Sequence, residues 1–378
     1  MESTGKRFVI VNGIGDSVVA FRGALVRDLV GRGHEVIVST PFPIERDSDT
    51  VRREVEALGA TCVFSPLRRS SLNPLSEWRT RWHYRALFKR LRPDGVLATN
   101  PKPVFHAMRA ARAAGVPKRV ALITGLGYAF IGESMRARLL RLIAVRLYRR
   151  AMRDSTTVLF QNKSDRYEFE ERKLLVRGLA VAQVGGSGVD LAHFPQVAVP
   201  KDHIFLMVAR LLGDKGVREY AAAARAVREH RSDCRFRLVG WIDENPSAIR
   251  QEELDAWVQE GTIEYAGRLD DVREELAQCS VFVLPSYREG TPKSTLEALA
   301  TGRAIITTDA PGCRETVERG VNGTLVPARD ADALAAACMK FADDQHLREK
   351  MGAASRELAE RRFDVHLVNA TIAEALGA

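Results

Sequence analysis

The sequence predicts an α/β protein of two Rossmann-like units, and three observations carry that expectation. The chain has 378 residues, which suits two cores of roughly 150–200 residues each. Short continuous apolar runs of strand length alternate with helical patterns from Arg7 onward, and the alternation opens afresh at Ile204-Phe-Leu-Met-Val-Ala209. Such runs read as strands buried on both faces of a parallel sheet. The third observation is a strand–loop–helix stretch, Val281 to Ala300, in which two glutamates stand eight residues apart.

In chain order, Arg7–Asn12 is a first buried strand, Val18–Gly31 an amphipathic helix and Glu35–Thr40 a second strand. The loop Gly13-Ile-Gly15 tempts a dinucleotide reading, but G-x-G-x-x-G fails because its last position is Val18, and no acidic residue follows the second strand. Gly13 and Gly15 therefore either let a loop backbone approach a phosphate or substrate, or make a plain tight turn. A helix is expected over Val51–Gly59, and strands over Thr61–Ser65 and Gly95–Thr99. The last of these ends in Asn100-Pro-Lys-Pro103. A strand Arg119–Thr124 then runs into Gly125-Leu-Gly127-Tyr128-Ala-Phe130. Both turns lie at C-terminal ends of strands, where open α/β sheets bind ligands.

Ser134–Asp154 is the most lopsided helix, mixing Leu139, Leu140, Leu142, Ile143 and Val145 with seven arginines and no acid before Asp154. It reads either as a basic amphipathic helix for an anionic membrane surface, or as a core-packed helix with a solvated basic face. Strand Thr157–Phe160 follows, and residues 197–201 read as a linker.

In the second half, Arg210 and Lys215 bracket the loop after the strand that opens at Ile204. Two fixed cations suit a diphosphate, through charge-assisted bonds worth roughly 1.5–3 kcal/mol each; the alternative is two surface cations. A strand Arg237–Gly240 ends in a glycine turn. Val281–Leu284 stops at Pro285, a polar loop runs Ser286–Thr291, Pro292 opens a helix over Lys293–Ala300, and Gly302 closes it. The unpaired N–H groups of the helix, with its dipole, make an anion site over the loop. Glu289 lies in the loop, and Glu297 about two turns into the helix.

Apolar content of 46% and charged content of 28% are those of a water-soluble globular protein. No apolar run approaches 18 residues, and the N-terminus has no signal-peptide core. The five scattered cysteines argue for reduced core thiols and a cytosolic chain, against zinc or disulfides. A net charge of +9 calls for an acidic partner. No nucleic-acid-binding motif accompanies it, which argues against DNA or RNA.

Glu289 and Glu297, with Gly290, Pro292, Leu296 and Ala298 around them, resemble the E-x7-E motif of family 4 retaining glycosyltransferases of the GT-B fold. The Pro-Lys-Pro turn and the Thr-Gly-Leu-Gly-Tyr-x-Phe loop look like segments of the subgroup that extends polyprenyl-diphosphate-linked sugars. The resemblance covers nearly the whole chain. It is strongest from Val281 to Pro327 and weaker before Gly95, and Gly13-Ile-Gly15 departs from the adjacent glycines usual in the family.

The resemblance implies two Rossmann-like domains whose parallel sheets face across a cleft. Residues 1–196 would bind the acceptor and residues 197–355 the nucleotide-sugar, while residues 356–378 cross back. It implies a diphosphate clamp at Arg210 and Lys215, Glu289 over the donor sugar and Glu297 on the ribose hydroxyls. Gly290, Thr291, Pro292, Lys293, Ser294 and Thr295 would serve the diphosphate, Gly267, Arg268 and Leu269 the base, and Gly240 the same donor site. The acceptor candidates are Gly13, Gly15, Lys102, His106, Thr124, Gly125, Gly127 and Tyr128, although a histidine placed like His106 more often packs or caps a helix. No cofactor or metal is expected beyond the nucleotide-sugar. Asp47-Ser-Asp49 and Asp330-Ala-Asp332 mimic the D-x-D metal motif of the other transferase fold, but fall in an early loop and at a helix start, where aspartate caps.

The implied partners are a UDP-sugar and a lipid-linked saccharide, at the inner face of the cytoplasmic membrane through the basic helix 134–153. Three rivals remain. A two-carboxylate glycosidase would leave Arg210 and Lys215 without purpose, a GT-B nucleotide-sugar 2-epimerase would need no acceptor, and a silent sugar-nucleotide or membrane-binding scaffold would tolerate loss of Glu289.

Overall fold

The computed structural model describes residues 5–68, 71, 73–126, 130, 134–242, 245 and 247–378. The chain forms two compact units, one of residues 1–187 with 366–378 and one of residues 188–365.

Unit 1 holds a seven-stranded parallel sheet of β1 (Arg7–Val11), β2 (Glu35–Pro41), β3 (Thr61–Ser65), β4 (Gly95–Thr99), β5 (Lys118–Ile123), β6 (Thr157–Phe160) and β7 (Ala180–Gln183), in the order β3-β2-β1-β4-β5-β6-β7. Alternation at period two divides its core. Val9, Val11, Ile37, Val96 and Ala121 face α3 (Pro74–Leu91), α4 (Pro101–Ala113) and α5 (Met135–Asp154). Phe8, Ile10, Val36, Val38, Leu97 and Leu122 face α1 (Val18–Gly31), α2 (Ser48–Glu56) and the C-terminal helix Val365–Leu376.

Unit 2 repeats the plan with six parallel strands: β8 (Ile204–Val208), β9 (Arg235–Val239), β10 (Glu264–Gly267), β11 (Val281–Leu284), β12 (Ala304–Thr308) and β13 (Gly323–Val326), ordered β10-β9-β8-β11-β12-β13. In each sheet the chain winds outward one way, then returns to the centre and winds the other. The reversal falls between β1 and β4, and between β8 and β11, and such a switch point opens a crevice at the strands' C-terminal ends.

Several boundaries differ from the sequence reading. The units divide at Gly188, not after residue 196. The Val189 N–H donates to Phe363 O and the Val365 N–H to Val189 O, tying this strap to unit 2. Residues 197–201 are no free linker, since the Arg303 guanidinium donates to the carbonyls of Val197 and Ala198, each at 3.2 Å. The return to unit 1 begins at His366, not at residue 356. Helix Gln345–Leu358 stays on unit 2, while Val368, Ile372 and Leu376 of the last helix pack under the first sheet. The helix expected from Val51 starts at Ser48, because the Asp47 carboxylate accepts the Thr50 N–H. Asp330 likewise caps its helix by accepting the Ala333 N–H.

Candidate active site

In unit 2 the switch point brings the two principal motifs together. The loop after β8 carries Arg210 and then a short 3-10 turn, Gly213–Lys215, which bears Lys215 and is closed by Gly216 at φ +75°. A β-carbon on Gly216 would lie 2.2 Å from Pro285 O, so only glycine lets this loop pass under the one after β11. The Tyr287 N–H donates to Asp214 O at 2.9 Å and fixes the two loops in register. The Lys215 ammonium then reaches Glu289 Oε1 at 2.5 Å, with both side chains about one-seventh exposed.

Glu289 is held from its other side as well. Its N–H donates to Pro311 O at 2.9 Å, Ser286 Oγ donates to Glu289 Oε1 at 2.9 Å, and the Ser286 carbonyl accepts from Thr308 Oγ1. Gly312 (φ +82°) lies against the Glu289 carbonyl. The Cys313 thiol behind it is pushed up to about 12, by burial first and by the Glu289 charge second.

Glu297 sits on the helix Lys293–Thr301, 8% exposed, with the Lys293 ammonium 3.4 Å away. Burial pushes its carboxyl upward against the pull of Lys293. On the same helix Thr295 is fully buried, and its Oγ1 has no hydrogen-bond partner. A buried hydroxyl without a partner costs about 1–3 kcal/mol, which a ligand oxygen beside it would offset. At the outer strands Gly240 N–H donates to Gly267 O at 2.9 Å, and the Arg268 guanidinium lies 4.3 Å above the Trp241 ring. Leu269 is partly exposed beside it. Unit 2 thus concentrates the cations Arg210, Lys215, Lys293 and Arg268, a partnerless hydroxyl at a helix start, and two carboxylates. That set suits a ligand bearing both phosphates and hydroxyls.

In unit 1 the switch point gathers Asn12, Gly13, Thr99, Asn100 and Thr124. Gly13 N–H donates to Asn100 Oδ1 at 3.2 Å, Asn100 Nδ2 to Thr124 Oγ1 at 3.0 Å, and Thr99 Oγ1 to Asn12 Oδ1 at 2.7 Å. Gly13 packs on the Asn100 side chain and Gly15 against the backbone of Pro41 and Pro43. Packing within the protein therefore accounts for both glycines. Gly125 adopts φ +115° beside this network, while Gly127 and Tyr128 lie outside the described residues.

Lys102 and His106 converge on one carboxylate, that of Glu77 from α3. Lys102 Nζ lies 2.6 Å from Glu77 Oε1 and His106 Nε2 2.6 Å from Glu77 Oε2. Burial raises the Glu77 carboxyl, but the bonds from His106 and Lys102 outweigh it and hold the group below its ordinary 4.5. A depressed folded-state value means stability that is present above pH 4.5 and lost as pH falls through the folded value. Glu77→Gln is therefore expected to lower stability by about 1–3 kcal/mol at pH 7, with the gap to wild type closing in melts below pH 4.5. A gap that persists in acid would assign the loss to packing.

Sequence reasoning missed Asn12, Trp241, Glu77 and Gly312, and gave Asn100 and Ser286 a place in their loops but no role. Only Asn12 and Asn100 carried a signal, each being the first polar residue after a buried strand at a switch point.

Two family models match the chain, one described as a glycosyl transferase 4-like domain over residues 18–178 and one as glycosyl transferases group 1 over residues 202–344. A relative from Campylobacter jejuni, an N,N'-diacetylbacillosaminyl-diphospho-undecaprenol alpha-1,3-N-acetylgalactosaminyltransferase, is 30% identical over 348 residues, covering 88% of this chain and 89% of its own. The chain is a family 4 glycosyltransferase. An Escherichia coli UDP-Gal:alpha-D-GlcNAc-diphosphoundecaprenol alpha-1,3-galactosyltransferase is 26% identical over 275 residues, 69% of each chain. Anabaena HepE, solved with UDP and glucose, superposes at a TM-score of 0.77 over 99% of this transferase and 100% of its own chain, at 17% identity. This likeness shows the GT-B fold of the transferase.

Proposed function

We propose that this glycosyltransferase moves a hexosyl or N-acetylhexosaminyl group from a UDP-sugar to a polyprenyl-diphosphate-linked saccharide, with the anomeric configuration retained. The observation that carries the reading is the contact of Lys215 with Glu289 at the unit 2 switch point, 2.5 Å long, together with the lipid-linked acceptors named for two relatives. In the reaction the bond from the anomeric carbon to the diphosphate breaks and the bond to the acceptor oxygen forms on the same face. The hydroxyl proton passes to the departing diphosphate, so no protein nucleophile is required. Arg210, Lys215 and the start of the helix Lys293–Thr301 stabilise the charge that develops on the diphosphate. Glu297 receives ribose hydroxyls, Gly267–Leu269 receive the base, and Glu289 orients the sugar or steadies positive charge at its anomeric carbon. These groups supply the charge without a metal ion.

The deciding experiment is mass spectrometry of purified protein mixed with synthetic polyprenyl-diphosphate sugars and a panel of UDP- and GDP-sugars, with and without EDTA. The expected product is a lipid heavier by one sugar, unaffected by EDTA and absent with Glu289→Ala. Epimerised donor without any acceptor, or sugar hydrolysed without nucleotide, would replace this reading by another.

Membrane docking through α5 is part of the same proposal. Its C-terminal half is core, with Tyr148 and Met152 buried. Its N-terminal half exposes Met135, Leu139, Leu142 and Ile143, a single stripe at helical spacing, beside exposed Arg138 and Arg146. Leu75, Trp78 and Trp82 form a second exposed stripe on α3, and α3 and α5 both pack on α4. Tryptophan at such a surface suits the headgroup layer. Among the described residues no helix is long and apolar enough to cross a membrane, so the expected attachment is peripheral, on the cytoplasmic face. The protein should float with vesicles containing anionic phospholipid. Arg138→Ala with Arg146→Ala should weaken that binding by about 2 kcal/mol, roughly thirtyfold; unchanged flotation would move the docking surface elsewhere.

A further inference from the structure

Helix α1 carries a charge that the protein does not compensate. Its buried row is Val18, Arg22, Leu25, Val26 and Leu29, an apolar stripe interrupted by one guanidinium. Arg22 is 4% exposed, and its Nε has no hydrogen-bond partner. No carboxylate among the described residues balances it. Asp16 accepts the N–H groups of Ile44, Glu45 and Arg46; Asp28 pairs with Arg32, and Glu54 with Arg46. Burial alone pushes the guanidinium down, to about 10, which leaves it charged at neutral pH.

A buried charge without a partner is among the costliest features a fold can keep. An apolar side chain would fill the position without that cost, as Val18 and Leu25 do on either side of it in the same row.

The surroundings are prepared in the same sense. In the βαβ crossover α1 runs back along the sheet, so its first turns lie over the C-terminal ends of β1 and β2. Thr40, at the end of β2, alternates with Val36 and Val38 and so faces the α1 side. It is fully buried, and its Oγ1 also lacks a partner. Gly15 passes against Pro41 and Pro43, which places the loop before α1 over the segment that leaves β2. Two and four residues past Thr40, Phe42 and Ile44 expose 62% and 79% of their surface. The topology thus places a partnerless cation, a partnerless hydroxyl and an exposed apolar pair at one end of one sheet.

We infer that Arg22 and Thr40 form a seat for phosphate oxygens of a diphosphate, with Phe42 and Ile44 beside it for an apolar chain. The inference rests on the substrate reading given above and deepens it: on this unit the diphosphate is that of the polyprenyl acceptor. A guanidinium fork matches two phosphate oxygens at once, and a threonine hydroxyl donates to a third.

The test uses Arg22→Met, which fills the volume without charge, and Arg22→Lys, which keeps charge without the fork. Binding of a water-soluble short-chain prenyl-diphosphate N-acetylhexosamine and of UDP is measured by calorimetry, and needs no turnover. A failure of the transferase reading is therefore separable, because it shows as wild-type protein that binds but yields no product. Arg22→Met is expected to melt at or above the wild-type temperature without ligand. It should bind the prenyl diphosphate at least about tenfold more weakly while UDP binding stays within about twofold, with Arg22→Lys between. Weakened UDP binding with an unchanged prenyl ligand would assign the seat to the donor's diphosphate and overturn the acceptor assignment. Wild-type binding of both, or an Arg22→Met protein that melts well below wild type, would overturn the seat itself and make Arg22 structural.

Discussion

Lys215→Ala is expected to lower kcat by about 10²–10³-fold, equivalent to roughly 3–4 kcal/mol of lost stabilisation of the leaving diphosphate. The size follows from how firmly the residue is placed. Gly216 at φ +75° passes under Pro285 and the Tyr287 N–H holds Asp214 O, so the ammonium is preorganised before donor arrives. The substitution also leaves the Glu289 carboxylate, 15% exposed, without its cation, and removing one partner of such a pair is itself destabilising. A second variant separates the two losses. Lys215→Met combined with Glu289→Gln removes both charges and should recover melting temperature without recovering turnover. The two single changes should be non-additive in kcat, because the groups touch. A Lys215→Ala enzyme with near wild-type kcat at saturating donor would remove the diphosphate clamp from the mechanism.

What was legible in the sequence is what depends on local pattern. The central strands β8 and β11 of the second sheet are continuous apolar runs because both faces are covered. The helix Lys293–Thr301 is bracketed by Pro292 and by Gly302 at φ +81°, each at the end it favours. The E-x7-E spacing survives in the fold as one loop carboxylate and one buried helix carboxylate.

What was not legible depends on which loops meet. Nothing near Lys102 or His106 in the chain announces Glu77, at least 25 residues away, yet that carboxylate takes both side chains. The switch point joins Gly13 to Asn100 across 87 residues. The unit boundary was misplaced because residues 197–201 read as linker by composition, while Arg303 and Arg348 hold their carbonyls from the second core. Arg22 was passed over for a related reason: an arginine at a core position of an amphipathic helix looks like an imperfection of the pattern until its surroundings are known.

Gly312→Ala tests the placement of Glu289 without touching a charged group. At φ +82° the residue is in the left-handed region, which costs an alanine about 1–2 kcal/mol. Its β-carbon would also stand 2.2 Å from Glu289 O and 2.7 Å from Gly290 O, both backbone atoms that cannot rotate away. Overpacking of that kind adds about 1–3 kcal/mol, so the melting midpoint should fall by roughly 5–15 °C. The strain relaxes most readily by pushing the Glu289 loop outward. Its N–H would then leave Pro311 O, now 2.9 Å away, and the carboxylate would shift from the Lys215 ammonium. A displacement near 1 Å at a positioned group costs about 10²-fold in rate. Gly320→Ala is the matched control: it has φ +78° and nothing within 4 Å of the added methyl, so it bears the same backbone strain without a collision. The expected pattern is a moderate loss of stability with normal kcat for Gly320→Ala, and a larger loss of both for Gly312→Ala. Equal kcat in the two variants would show that the position of Glu289 does not limit the reaction.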